Sequence, residues 1–348
     1  MAVPFANGVL FVSTGDSSYN TNAPTGSLTN SGWQYEGQWM SYLGTPIAPT
    51  FFLAAQHIGG TPGTPFILNG FSYTTVTNFD DPNTDLRIWQ VAQTFPYYAP
   101  LYAGSNEVGQ ACVVIGRGTQ RGSLITTGAI TNGWMWGAGD SVERWGENTV
   151  SGVYTDATRG QLLFANFDQT GGSNVCDLSV GDSSGGMFIQ NGSQWALAGL
   201  HYAVDGPFSY DGTSTTEFDA ALIDLRGLYY YNGSGWTLEP LTNPVPVPSA
   251  FYSTRVSARL SWINSVVNNN LGNDLGIAGL QIVGSNAQIN LITGSNRFYR
   301  VDYTTNLVNA VWITLTNNIP GAGTNVVVTD PGVLTTQPAR FYRATVLP

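Results

Sequence analysis

Lysine is absent from this 348-residue chain: all twelve basic residues are arginine, against 22 acidic ones, for a net charge of −10. Charged residues make up only 10%, where ordinary domains carry roughly a quarter. A chain this acidic and this poor in cations is repelled by phosphate backbones and by anionic membrane surfaces, so neither nucleic acid nor membrane is an expected partner. Cysteine is nearly absent too. Cys112 and Cys176 allow at most one bridge, and no Cys-x-x-Cys or Cys/His cluster offers a metal site. Whether the two cysteines pair or simply fill core volume stays open at this point. No apolar run approaches the ~20 residues that span a bilayer. Met1 to Phe5 carry neither the basic start nor the apolar stretch of a signal peptide.

What is present is turn chemistry. Forty-two glycines and eighteen prolines accompany abundant Thr, Ser and Asn, and long amphipathic patterns are missing, so the expected class is all-β. Apolar residues at 42% suffice for a sizeable core. After a polar, turn-rich stretch over residues 1–30, strand-like segments are predicted at Trp33–Tyr42, Thr50–Ala55, Pro65–Thr77, Asp85–Gln93, Ala111–Gly116, Leu162–Asp168, Gly186–Gln190 and Trp195–Ala203. The Pro-rich text Leu238–Ser249 reads as an excursion rather than a linker. Beyond it, Val256, Leu260 and Ile263 recur at helical spacing behind a Ser253 or Thr254 cap. The domain boundary is placed after Asn268-Asn269-Asn270. Residues 271–348 then read as a separate small β-sandwich, with strands predicted around Leu280–Val283, Arg297–Tyr303, Trp312–Thr316, Asn325–Thr329 and Arg340–Val346. Arg-Phe-Tyr-Arg occurs twice in it, at 297–300 and 340–343.

Three segments carry chemistry. The chain has only two histidines, His57 and His201. His57 ends the apolar run Phe51-Phe52-Leu53-Ala54-Ala55-Gln56 before two glycines, a place where a histidine is often structural. Asp85 starts the alternating segment Leu86-Arg87-Ile88-Trp89, while Asp80 and Asp81 precede a proline and look solvated. Ser183 sits in Gly181-Asp182-Ser183-Ser184-Gly185-Gly186, a tight glycine-rich turn before a buried strand. There, backbone N–H groups can converge beside a hydroxyl, as an oxyanion hole requires.

In this order the segments resemble the chymotrypsin/trypsin-like serine proteases, over roughly residues 28–268. Ala54–His57 is similar to the family's Thr-Ala-Ala-His box, with a departure at Gln56. Asp85-Leu86-Arg87-Ile88 resembles its Asp-Ile-Ala-Leu box, and Cys112 to Gly118 the strand ending Gly-Trp-Gly. Ala198 to Tyr202 resembles the substrate-binding strand, and Thr254 to Ile263 the C-terminal helix. The resemblance implies a chymotrypsin-like double β-barrel with a short C-terminal helix over residues 1–270, counting 1–30 as an N-terminal extension. It implies a serine endopeptidase acting on polypeptides, secreted or on a cell surface, with no cofactor. His57, Asp85 and Ser183 would form the triad, and the N–H groups of Gly181 and Ser183 the oxyanion hole. Asp177, six residues before the nucleophile, would floor the substrate pocket and favour Arg, with His201, Tyr202 and Val204 around it. His201 stands where some glutamate-specific members receive an acidic side chain.

Departures leave alternatives. Glycine is usual where Ser184 stands, so a second register would make Ser184 the nucleophile. Tyr202 replaces a serine that supports the catalytic carboxylate, and no Ile-Val-Gly-Gly start is present. A catalytically inactive protease-fold binding or surface-attachment protein is the other reading, and a β-rich adhesin with a coincidental triad a distant third. The C-terminal module resembles a small β-sandwich appended to many secreted bacterial proteins; its expected role is binding to a surface or another protein.

Overall fold

The computed structural model describes residues 8–270, 275–294, 298–308, 310–322, 325–333 and 339–347. Its chain divides into two compact units, Met1–Ile263 and Asn264–Pro348. The division falls inside the helix Leu260–Asn270, a few residues before the boundary drawn from the asparagine run.

In the first unit, six antiparallel strands close into a barrel in the order Gly37–Trp39, Tyr42–Ala48, Phe51–Ala55, Leu86–Val91, Phe71–Asp80, Pro65–Leu68. Closure follows from side-chain bulk pointing inward. Trp39, Phe52, Phe66 and Trp89 are all 0% exposed, and their rings pack at centroid distances from 4.2 to 6.5 Å. A single predicted strand over Pro65–Thr77 is in fact a hairpin. Asn69 (φ 49°) and Gly70 (φ 79°) turn the chain in the left-handed region, where an Asn-Gly pair is at home.

A seven-stranded antiparallel sheet forms the second half, in the order Arg144–Thr149, Ala111–Gly116, Gly186–Asn191, Gln194–Val204, Ala250–Arg255, Gly160–Asn166, Gly152–Asp156. Its core gathers Val114, Leu163, Met187, Ile189, Ala198 and Phe251, with both cysteines. The cysteines are unpaired and buried, and burial raises both thiols, Cys112 to about 12. The N-terminal stretch is no loose extension from residue 8 onward: Leu10–Phe11 pairs with Cys176–Asp177, and Trp145 donates its indole N–H to the Asn22 carbonyl. The hairpin Thr119–Thr127 with Ile130–Gly139, unannounced in the sequence reading, pairs with Ala220–Leu222. That last strand belongs to an excursion, residues 205–249, which also forms a small four-stranded sheet and includes the Pro-rich text. The all-β class, the closed barrel and the short C-terminal helix match the chymotrypsin-like fold class implied by the motifs.

The second unit holds two three-stranded sheets, Leu275–Val283/Asn286–Thr293/Asn325–Asp330 and Ile313–Pro320/Phe298–Thr304/Phe341–Leu347. Ile289, Leu291, Tyr299 and Val301 share their core. The strand Asn286–Thr293 escaped the sequence reading, and Arg297 lies outside the described residues. The two echoed tetrapeptides run into neighbouring, paired strands, where Arg300 and Arg343 both ion-pair with Asp302.

Candidate active site

The strand Phe51–Ala55 runs into one 3-10 turn, Gln56–Ile58, which brings His57 to the barrel's edge. Asp85 precedes the neighbouring strand and is 1% exposed. Backbone contacts hold the two together: the Gln56 N–H donates to the Asp85 carbonyl, and the His57 N–H to Asp85 Oδ1 at 3.1 Å. Asp85 Oδ2 lies 2.5 Å from His57 Nδ1. A proton on Nδ1 satisfies that contact and leaves Nε2 an acceptor, 2.9 Å from Ser183 Oγ. Histidine, aspartate and serine therefore form one hydrogen-bonded line.

The nucleophile-like loop is held by its neighbours. Asp182 is buried and accepts from the N–H groups of Gly118 and Ser179 and from the Ser179 hydroxyl. Desolvation raises its carboxyl to about 7. The Ser184 N–H donates to the His201 carbonyl, and the His201 N–H to the Gly185 carbonyl, both at 2.9 Å. A side chain at Gly185 would collide with the Ile115 carbonyl oxygen, so glycine is required there. Gly181 has φ 98°, and among the described residues no group accepts from the Gly181 or Ser183 N–H. Ser184 points elsewhere: its hydroxyl, 0% exposed, accepts from the Ala55 N–H at 2.9 Å. It bridges the loop to the strand that leads to His57.

Beside Ser183 opens a cavity of about 300 Å³, bounded by Leu178, Val180, Tyr202, Val204, Trp136 and Asp219, with His201 behind. Asp177 is not among its walls. The carboxylate is 1% exposed, accepts from the Ser249 hydroxyl and the Leu178 N–H, and is pushed up to about 7 by burial. Its pairing with Leu10 turns it inward, so the expectation that Asp177 floors the pocket is corrected. His201 does border the cavity, but its Nδ1 pairs with Ser253 Oγ and burial lowers it to about 3. A neutral imidazole has no charge to offer an acidic side chain, so burial opposes that role. Tyr202 and Val204 line the cavity.

Three lining or supporting residues had no signal in the sequence. Trp136 comes from the unannounced hairpin and Asp219 from the excursion. Arg159 lies in the turn between Gly152–Asp156 and Gly160–Asn166, and its Nη1 is 3.6 Å from Asp85 Oδ1. No group of three or more His, Cys, Asp or Glu that could hold a metal exists among the described residues. The constellation offers a base, a hydroxyl, free N–H donors and an adjoining cavity, the parts that acyl transfer needs.

No family model matches the chain, and no curated protein matches it. Among solved structures it is similar to kallikrein-related peptidase 10, at 15% identity and a TM-score of 0.41, over 71% of this chain and 100% of that one. It is also similar to the Rv3671c protease of M. tuberculosis in an inactive form, at 12% identity and a TM-score of 0.39, over 76% of this chain and 99% of that one. A third is the HtrA-type protease AlgW with a decapeptide, at 10% identity and a TM-score of 0.38, over 68% of this chain and 56% of that one.

Proposed function

We propose that the chain is a serine endopeptidase. The observation that carries this reading is the continuous line from Asp85 Oδ2 through the His57 ring to Ser183 Oγ, at 2.5 and 2.9 Å, with its serine at the mouth of the cavity. Ser183 Oγ attacks the scissile carbonyl while His57 Nε2 takes its proton. Asp85 stays ionised and holds the imidazolium in place. The N–H groups of Gly181 and Ser183 receive the oxyanion. When the tetrahedral intermediate collapses, the C–N bond breaks and Nε2–H protonates the leaving amine. Water, deprotonated by the same nitrogen, then releases the acid from the acyl-enzyme.

A fluorophosphonate probe tests the reading directly. It is expected to label Ser183, and Ser183→Ala is expected to lose both labelling and peptidase activity, with kcat down roughly 10⁴- to 10⁶-fold. No labelling of the native chain would favour the binding-protein alternative.

A further inference from the structure

Asp85 is buried, yet no serine on the strand Gln194–Val204 supports it, because Tyr202 occupies that place. Its two oxygens are used unequally. Oδ2 faces His57 Nδ1, while Oδ1 takes the His57 N–H and the approach of the Arg159 guanidinium at 3.6 Å. That guanidinium also lies over the Tyr202 ring, 5.6 Å from its centroid. Tyr202 in turn stands edge-on to the His57 ring at 5.9 Å. The arginine's own turn is fixed, since Asp156 Oδ1 accepts from the N–H groups of both Thr158 and Arg159. Arg159, Tyr202, His57 and Asp85 thus form a closed ring of contacts built from both halves of the unit.

We propose that Arg159 is a positioning residue for the reaction assigned above, holding Asp85 Oδ1 so that Oδ2 stays aimed at His57. The proposal rests on the peptidase reading for its kinetics but not for its electrostatics. The charged or titratable side chains facing the His57–Asp85 pair are Arg159 from the hairpin turn and Tyr202 from the strand. Nearby Asp80 is paired with Arg87, and Asp81 with Arg259. Among the described residues, Arg159 is therefore the cation whose ion pair is made to Asp85 itself. A cation beside the pair opposes protonation of the imidazole, and its removal favours it.

The chain itself makes the test simple. Of its two histidines, His201 is buried with its charged form disfavoured, so the His57 ring can be followed by NMR without overlap from a second titrating imidazole. In Arg159→Gln the His57 midpoint is expected to rise by about 0.5 pH unit, the order of effect of losing one nearby charge in a watery surround. Arg159→Lys, which keeps the charge, is expected to restore the midpoint. With a peptide substrate, Arg159→Gln is expected to lower kcat about tenfold at unchanged KM, as misaligned catalytic groups do. An unchanged midpoint in Arg159→Gln overturns the proposal, whatever the activity does. So does a kcat loss that Arg159→Lys fails to relieve and that no midpoint shift accompanies. A shifted midpoint in a chain that cleaves nothing upholds the Arg159 contact while the peptidase reading fails.

Discussion

Ser183 and Ser184 are neighbours with the same side chain and opposite orientations. The backbone decides between them. Ser184 has φ 71°, a left-handed conformation that costs a serine about 1 kcal/mol and turns its hydroxyl away from His57 toward the Ala55 N–H. The motif alone leaves Ser184 as an alternative nucleophile, since the related pattern has glycine there. In the fold its hydroxyl is the sole partner shown for a buried amide, and losing such a partner costs roughly 1–3 kcal/mol. Ser184→Ala is therefore expected to lower stability by about that amount in denaturant unfolding and to slow fluorophosphonate labelling several-fold. Ser184→Gly removes the same hydroxyl but relieves the strained backbone, so it should be the milder of the two. If Ser184→Ala matches the native chain in both measurements, the bridge to Ala55 contributes nothing.

At the level of elements, the short strand Cys176–Asp177 shows what sequence position can and cannot convey. Counting back six residues from Ser183 finds Asp177 correctly, but counting says nothing about which way a residue faces. Pairing with Leu10–Phe11 decides that, and a two-residue strand from the polar N-terminal stretch carries no period to read. The consequence is a buried acid. Folding raises the Asp177 carboxyl from 3.8 to about 7, so the folded chain favours its protonated form. Its contribution to stability is full below pH 4 and is lost as pH climbs from about 4 to about 7, by up to about 4 kcal/mol. Asp182 acts in the same direction over the same window. Asp177→Asn keeps a partner for the Ser249 hydroxyl without a charge to desolvate. It is expected to unfold at higher temperature than the native chain at pH 8, and to show a flatter dependence between pH 4 and 7. An unchanged slope would mean that Asp177 is solvated after all.

For the whole molecule, the legible part was the part built from local order. The apolar strand ending in His57, the alternating strand after Asp85 and the glycine turn at Ser183 each announce themselves within ten residues, and the fold brings all three together. Trp136, Asp219 and Arg159 reach the site through pairings between distant segments, such as Ile130–Gly139 with Ala220–Leu222, which no window of sequence displays. The division into two units bears on use of the chain. The compact first unit ends at Ile263, and the helix it enters runs to Asn270. Truncation after Asn270 is expected to leave a folded chain with unchanged labelling by a fluorophosphonate. A collapse of the unfolding transition on truncation would show that the second unit is needed for the first to fold.

The excursion at residues 205–249 gives the cavity beside Ser183 a wall of separate origin. Tyr202 sits on the long strand Gln194–Val204 and Ser183 in the loop before Gly186–Asn191, whereas Asp219 arrives on a side branch whose Phe208, Leu225 and Leu228 share a small core with Ile125 of the neighbouring hairpin. Changes within that branch can reshape what the cavity accepts without disturbing the line from Asp85 to Ser183. On the peptidase reading, preference and reaction rate then become nearly independent traits. Asp219→Ala is the smallest such change: it is expected to alter the ranking of peptides in a cleavage profile while leaving the rate of fluorophosphonate labelling as it was. A parallel loss of both would tie the branch to the chemistry itself.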